Sequence, residues 1–182
     1  MSPSSRLDGV RLGTLTRAVD TRGSFRELWR ASGYRPEERF VQANLSASSA
    51  GVLRGLHLHR RQLDRWIVAA GRAFVALVDV RPMLDPDDPS PTPLVETHVL
   101  ETDDWVDIPI GVAHGFLALE PLDLLYLVTN EYDGSDELGF AWDDPLAAVA
   151  WPATGTPDGR PILSDRDRAN PTLGELVATL RA

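Results

Sequence analysis

The chain has four histidines, and three of them lie in two short segments whose spacing points to chemistry. His57 and His59 are two residues apart, so on a β-strand they would point to the same face. Asp64 follows shortly after them, and His114 ends the second segment, which begins at Pro109. Imidazoles and a carboxylate that meet from neighbouring strands can bind a transition metal. The pattern therefore predicts a reactive or metal-binding cluster, whereas His98 lies apart and is expected to be structural.

These segments lie among short apolar runs that glycine and proline separate, a pattern typical of β-sandwiches and barrels. Residues 66–70 and 73–80 flank Gly71 and Arg72, which predicts a hairpin with a two-residue turn. The other predicted strands are 96–100, 105–108, 115–119 and 124–129. We therefore expect an all-β fold with short helices near its ends.

Helix signals are confined to the two ends of the chain. Thr172 and Glu175 form a capping-box pattern before an apolar stretch, and residues 24–31 are expected to form one helical turn or a strand. The proline-rich stretch 82–93 is predicted to be a surface loop between strands. No internal repeat is visible, and the length suits one hydrophobic core, so residues 1–182 are expected to form a single domain.

The composition excludes several classes of enzyme. The chain has no lysine and no cysteine, so all 18 basic residues are arginines. Schiff-base enzymes, Walker-type phosphate loops, thiol nucleophiles and thiolate metal sites are thereby excluded. The formal net charge of −9 argues against nucleic acid as a partner. Because the N-terminus lacks a signal-peptide core and no run has the length of a membrane span, we expect a cytoplasmic protein without a membrane partner.

The two histidine segments resemble the two motifs of the cupin superfamily. The matching residues are His57, His59, Asp64 and Gly71 in the first motif, and Pro109, Gly111 and His114 in the second. The chain carries Asp64 where cupins usually have glutamate, and Ala118 where the second motif often has asparagine. This resemblance implies a double-stranded β-helix, the cupin type of jelly-roll barrel.

A second resemblance, to the dTDP-4-dehydrorhamnose 3,5-epimerase family, covers nearly the whole chain. Its matching stretches are ordered along the sequence and are together far more specific than one motif. They are residues 20–23 with Phe25 and Glu27, then 42–46, 51–57, 78–81, 108–117, 125–126, 130–132, 142–145 and 162–167.

The resemblance implies a reaction that needs no cofactor. In the family, a histidine corresponding to His57 removes the proton next to the C4 ketone of a nucleotide sugar, and an aspartate corresponding to Asp167 orients it. A tyrosine corresponding to Tyr126 returns a proton from the opposite face. Such a chain would epimerise C3, C5 or both in a dTDP-4-keto-6-deoxy sugar during deoxysugar biosynthesis.

The resemblance also implies the binding residues and the assembly. Arg54 matches an arginine that binds the diphosphate, since its planar fork suits bidentate phosphate contacts. The other residues matched to the substrate pocket are Arg22, Glu27, Gln42, Asn44 and His114. The expected partners are a nucleotide-sugar substrate and a second copy of the chain in a homodimer.

One departure from the family keeps two alternatives open. The family carries a lysine near the developing enolate, and the matching position here is Asp64, whose charge has the wrong sign for that role. His59 also replaces a residue that is usually not histidine. The chain is therefore an epimerase that replaces the lysine in another way, a metal-dependent cupin enzyme, or an inactive sugar-nucleotide-binding cupin. The metal ligands in the second case would be His57, His59, Asp64 and His114.

Overall fold

A computed structural model of the chain describes residues 5–88 and 91–182. Their strands are β1 (Arg11–Thr14), β2 (Ala18–Asp20), β3 (Gly23–Phe25), β4 (Gln42–Ser48), β5 (Leu53–Leu58), β6 (Asp64–Ala70), β7 (Arg72–Asp79), β8 (Leu94–Glu101), β9 (Asp104–Ile108), β10 (Val112–Ala118), β11 (Leu122–Val128) and β12 (Leu138–Gly139). The α-helices are α1 (Arg81–Leu84), α2 (Asp165–Arg168) and α3 (Leu173–Arg181), and two 3-10 turns cover Ala31–Gly33 and Pro36–Glu38. None of these helices is both long and apolar enough to cross a membrane.

The strands form two five-stranded antiparallel sheets in a jelly-roll arrangement. One sheet has the order β1-β9-β6-β11-β4 and the other β12-β5-β10-β7-β8, while β2 and β3 form a separate hairpin. The all-β, cupin-like fold class is thereby confirmed. Within the described ranges, however, the two sheets keep separate edges and do not join into a closed barrel.

Gly71 is the point at which the chain crosses from one sheet to the other. The predicted hairpin there is wrong, because β6 pairs with β9 and β11, whereas β7 pairs with β8 and β10. Gly71 has a φ of +93°, and a Cβ at this position would lie 2.1 Å from the Pro121 carbonyl oxygen. The local signal for a tight turn was therefore correct, but the turn joins two sheets.

The β7 strand is buried on both faces because it lies between two hydrophobic clusters. Alternate residues, such as Val75 and Leu77, face the cluster between the sheets. The intervening Ala76 and Val78 face a second cluster, which the C-terminal segment and α3 cover. The C-terminal helix thus stabilises the outer face of the sheet that carries β5 and β10.

The helix predictions are confirmed at only one end. Thr172 caps α3, accepting a hydrogen bond from the Glu175 amide while the Glu175 carboxylate accepts one from the Thr172 amide, as the capping box predicts. Of the two alternatives for residues 24–31, the strand is present only at Ser24 and Phe25, the end of β3, and there is no α-helical turn. The loop predicted at 82–93 starts within α1, where Met83 is buried, and its residues 89–90 lie outside the described residues.

A bulge in β5 brings two chemically important side chains to the same side. His57 pairs with His114, but Arg54 pairs with Phe116, so Gly55 and Leu56 together lie opposite Gly115. The extra residue cancels the strand alternation, and both Arg54 and His57 line the same cavity. The approach is close: a Cβ on Gly55 would lie 2.6 Å from the Cα of Gly115.

We predict that Gly71→Ala lowers the free energy of unfolding by about 3 kcal/mol, since it combines an unfavourable φ with a backbone clash. Gly33→Ala is the control, because Gly33 has no positive φ and no heavy atom near its added Cβ. That control should change stability by less than about 1 kcal/mol. Denaturant titration of both variants measures the difference, and equal effects would contradict the crossing geometry.

Candidate active site

A cavity of about 420 Å³ opens between the two sheets and has the size of a small-molecule site. Strands from both sheets contribute to its wall, which mixes polar groups with apolar residues of the core between the sheets. Eight of the residues singled out in the sequence line it: Gln42, Asn44, Arg54, His57, His59, Asp64, His114 and Tyr126.

His57 and Asp167 form a partly buried acid–base pair at the cavity. The Nε2–H of His57 donates to Oδ1 of Asp167 at 2.8 Å, and Asp167 has only 5% of its side chain exposed. Because a carboxylate only accepts hydrogen bonds, this contact places the imidazole proton on Nε2 and leaves a lone pair on Nδ1. Such a histidine can act as a general base.

The position of Asp167 is fixed by the start of α2. The Ser164 hydroxyl accepts from the Asp167 amide at 3.1 Å and donates to Oδ2 of Asp167 at 2.9 Å. Burial by itself raises the pKa of Asp167, but the hydrogen bond and charge of His57, together with Ser164, outweigh burial and hold the pKa below its usual value. Asp167 is therefore ionised at neutral pH.

Tyr126 offers a proton donor from the opposite sheet. It lies on β11, between Asn44 on β4 and Trp66 on β6, and its side chain is partly buried. Burial raises the pKa of Tyr126, and the negative charge of Asp64 raises it further. The phenol therefore keeps its proton at neutral pH.

The remaining polar wall can bind a substrate. Nε2 of Gln42 donates to Oδ1 of Asn44 at 2.9 Å, while Oε1 of Gln42 accepts from the Tyr132 amide at 2.8 Å. The Arg54 side chain is exposed, with single contacts to the Ser48 hydroxyl and the Ala47 carbonyl. Its guanidinium therefore retains donors for an anionic group.

His59, Asp64 and His114 form a second, separate cluster on the cavity wall. Their possible metal-binding atoms all lie within 4.8 Å of one another, and all three residues are buried. Burial raises the pKa of Asp64 and lowers that of His114 well below its usual value. The structure thus brings together three of the four predicted metal ligands, while His57 is bonded to Asp167.

Two predicted substrate residues lie away from the cavity of their own chain. Arg22 has 88% of its side chain exposed and pairs with Asp20 on the β2–β3 hairpin. Glu27 follows this hairpin and pairs with Arg30. Arg65 also points away, as strand alternation predicts, and forms an ion pair with Asp107.

Several residues of the site were not identified from the sequence. The Asp136 carbonyl accepts a hydrogen bond from His59, although the two residues are 77 positions apart and no local pattern links them. The others line the cavity. Four lie in stretches matched to the family but had no predicted role, namely Ser46, Phe116, Tyr132 and Arg166, whereas Gln62, Trp66 and Glu137 lie outside those stretches.

Comparison with known proteins identifies consistent relatives. A family model described as dTDP-4-dehydrorhamnose 3,5-epimerase matches residues 4–175. A spore coat polysaccharide biosynthesis protein of Bacillus subtilis is 34% identical over 151 residues, covering 80% of this chain and 96% of that protein. A dTDP-4-dehydrorhamnose 3,5-epimerase of Mycobacterium tuberculosis is 37% identical over 178 residues, covering 91% and 84%. The solved structure of a Legionella pneumophila 3,5-epimerase in complex with dTDP-4-keto-L-rhamnose is 31% identical, with a TM-score of 0.81 and coverage of 97% and 94%.

We predict that Asp167→Asn destabilises the protein in a pH-dependent way. Because the folded pKa of Asp167 is depressed, its ionised form stabilises the fold above the ordinary value of 3.8, and this contribution is lost as the pH falls through the folded pKa. The loss should be about 1–2 kcal/mol near neutral pH and should shrink below about pH 4. Denaturant titrations across pH measure it.

The control is Asp165→Asn, on the same helix but with a fully exposed side chain. It should leave the pH dependence of stability unchanged. A constant effect of Asp167→Asn at all pH values would show that the charge of Asp167 does not matter to the fold.

Proposed function

The chain belongs to the dTDP-4-dehydrorhamnose 3,5-epimerase family, and we propose that it inverts a carbon beside the C4 ketone of a dTDP-4-keto-6-deoxy sugar in deoxysugar biosynthesis. It is a carbohydrate epimerase, an isomerase. The observation that carries the proposal is the His57–Asp167 pair at 2.8 Å, which faces the same cavity as Tyr126.

The first step is removal of a proton. Nδ1 of His57 takes the proton from C3 or C5, the C–H electron pair forms a carbon–carbon double bond, and the C4 oxygen receives the negative charge. The hydrogen of a carbon next to a ketone is acidic because the enolate delocalises this charge. Asp167 keeps the ring oriented and stabilises the imidazolium that forms.

The second step returns a proton from the other side of the sugar. Tyr126 donates its phenolic proton to the carbon, the C4 ketone re-forms, and the configuration at the carbon is inverted. His57 is then protonated and Tyr126 ionised, so solvent must restore both groups before the next turnover. A proton from solvent therefore enters the product, which makes the reaction visible in deuterium oxide.

The substrate is held by the polar wall and by charge. We propose that Arg54 contacts the diphosphate and that Gln42 and Asn44 contact the sugar or the nucleoside, while His114 forms part of the wall of the same pocket. Arg22 and Glu27 complete the site from a second chain in a homodimer, because the hairpin near them exposes 73% of both Val19 and Phe25. Apolar side chains exposed to this extent favour a protein contact.

We further propose that residues 1–182 act as one domain in the cytoplasm, without nucleic acid or membrane as a partner. The proton transfers need no organic cofactor, because the acid, the base and the groups that orient them belong to the chain. The alternative of an inactive binding protein is disfavoured by the His57–Asp167 pair, which a purely binding cavity does not need. Solvent exchange distinguishes the two.

We predict that His57→Ala reduces deuterium exchange into a dTDP-4-keto-6-deoxy sugar by at least about 1,000-fold, since general-base catalysis contributes about 10²–10⁴-fold. Asp167→Asn should have a similar effect, because it misorients the base. Exchange is followed by NMR at C3 and C5, which also identifies the carbon that is inverted.

The control for the exchange assay is His98→Ala. His98 lies on β8, outside the cavity, beside Glu96. The His98→Ala variant should incorporate deuterium into the sugar at the rate of the wild-type protein. Exchange in His57→Ala at that same rate would remove His57 from the role of base.

Tyr126→Phe is expected to separate the two steps. Proton abstraction can proceed without the phenol, but reprotonation from the opposite face cannot, so epimerisation should fall at least about 10-fold more than exchange. The two rates are compared on one sample, by product analysis and by deuterium incorporation. Equal losses would contradict this division of labour.

A further inference from the structure

We propose that His59, Asp64 and His114 bind a divalent transition-metal ion on the cavity wall, separately from the His57–Asp167 pair. His59 has 8% of its surface exposed, Asp64 4% and His114 3%. All three residues line the cavity. The site would combine two imidazoles with one carboxylate. The proposal that the ion binds does not depend on the proposed function, whereas its role in the reaction rests on that function.

The distances suit an ion and do not suit direct hydrogen bonds. Oδ2 of Asp64 and Nε2 of His114 are 3.6 Å apart, which is too long for a hydrogen bond. Two ligands on a tetrahedral zinc ion, each bonded at about 2.0–2.1 Å, are separated by about 3.3 Å. Since all three donor atoms lie within 4.8 Å of one another, small side-chain movements suffice to close the site.

In His59 and in His114, Nε2 is the ring nitrogen left free to bind a metal ion. Nδ1–H of His59 donates to the Asp136 carbonyl at 2.7 Å, and Nδ1–H of His114 donates to the Val112 carbonyl at 3.1 Å. Each contact leaves Nε2 unprotonated. Histidines that bind metals usually donate their other ring N–H to a carbonyl or carboxylate in this way.

Further hydrogen bonds between the same two segments stabilise the contact from His59 to Asp136. The Asp136 carboxylate accepts hydrogen bonds from the amides of Arg60 and Arg61, at 3.1 and 3.0 Å, and these residues directly follow His59. The Asp136 loop therefore orients the ring of His59, and the amides that follow His59 in turn fix this loop. Such a closed arrangement is typical of a preorganised ligand.

The charge of Asp64 also points to a cation. Its carboxylate accepts from Gln62 at 2.7 Å and from Trp66 at 3.3 Å, but both donors are neutral. Within residues 5–88 and 91–182, no arginine forms an ion pair with Asp64. An ionised carboxylate buried without a cation is costly, and a dication at this position would balance it.

The ligand set selects the class of metal. Imidazole nitrogens suit zinc, iron, cobalt and nickel, whereas magnesium and calcium prefer sites made of oxygens. Three protein ligands leave at least one coordination position for water or a substrate oxygen. Because the three residues line the cavity, we expect that position to face the sugar.

The ion would supply, at the position of Asp64, the positive charge that a lysine would otherwise supply. Stabilising an enolate requires a positive charge or hydrogen-bond donors near the C4 oxygen, and the chain has no lysine. In the family that the chain resembles, the position of Asp64 carries that lysine. We infer that Asp64 replaces a fixed ammonium group with a bound ion that acts as a Lewis acid.

Cobalt binding tests the site without reference to activity. Tag-free protein, stripped by a chelator, is titrated with Co²⁺ and followed by visible absorption and equilibrium dialysis. We expect one Co²⁺ per chain, and affinity at least about 100-fold lower in His59→Ala, Asp64→Asn and His114→Ala. His57→Ala and His98→Ala are the controls and should bind as the wild-type protein does.

Thermal unfolding provides a second measurement in case a substitution weakens the fold. Excess Zn²⁺ should raise the Tm of the wild-type protein and of His57→Ala, but not that of Asp64→Asn. The site is overturned if the wild-type protein binds no Co²⁺, or if the three ligand variants bind it as tightly as the wild-type protein.

The role of the ion is tested by deuterium exchange in stripped protein. We expect exchange to fall at least about 100-fold on stripping and to return with Co²⁺ or Zn²⁺. Full exchange in stripped protein would overturn the role. If Co²⁺ binds as expected but loaded protein exchanges no dTDP-4-keto-6-deoxy sugar, the proposed function fails and the metal site stands.

Asp64→Lys gives the sharpest comparison. It removes a ligand and puts an ammonium group at the same position, so the variant should bind no Co²⁺ yet exchange deuterium in the presence of the chelator. Asp64→Asn, which has neither the ligand charge nor the ammonium group, should exchange under neither condition. Equal exchange by the two variants in chelator would contradict the replacement of one cation by another.

Discussion

Buried imidazoles between the two sheets need hydrogen-bond partners, and each of the three that line the cavity has one. Along most of the interface the residues are apolar and the sheets pack closely, but around His57 and His114 the core is polar and a cavity remains. Backbone carbonyls and one carboxylate satisfy the imidazoles there. This requirement fixes the ring orientations, and with them the chemistry that the cavity can perform.

The histidines of the cavity divide into two functions because their partners differ. His57 bonds a carboxylate, which orients its ring and carries a negative charge beside the imidazolium that forms during proton transfer. His59 and His114 bond neutral carbonyls, which set the tautomer but carry no negative charge to balance a positive one. The same side chain thus serves proton transfer in one place and, as we propose, metal binding a few ångströms away.

Patterns of short range were readable from the sequence, and contacts between distant segments were not. The capping box at Thr172 and strands β6 to β11 follow from neighbouring residues, and the family resemblance supplied Asp167 as the partner of His57. The hairpin predicted at Gly71 was wrong because a tight turn has the same sequence signal whether it joins strands of one sheet or of two. The role of Asp136 could not be predicted, because it contacts His59 through its backbone carbonyl, a group that every residue has.

The bulge in β5 makes the pairing of this strand as important as its composition. Arg54 and His57 face one cavity only because Gly55 and Leu56 share a single partner on β10. In a regular strand, side chains three positions apart would point to opposite faces, and one of the two would turn toward α3. The glycine that lets the two strands approach this closely is therefore as necessary to the site as the reactive residues beside it, although it has no side chain to contact a substrate.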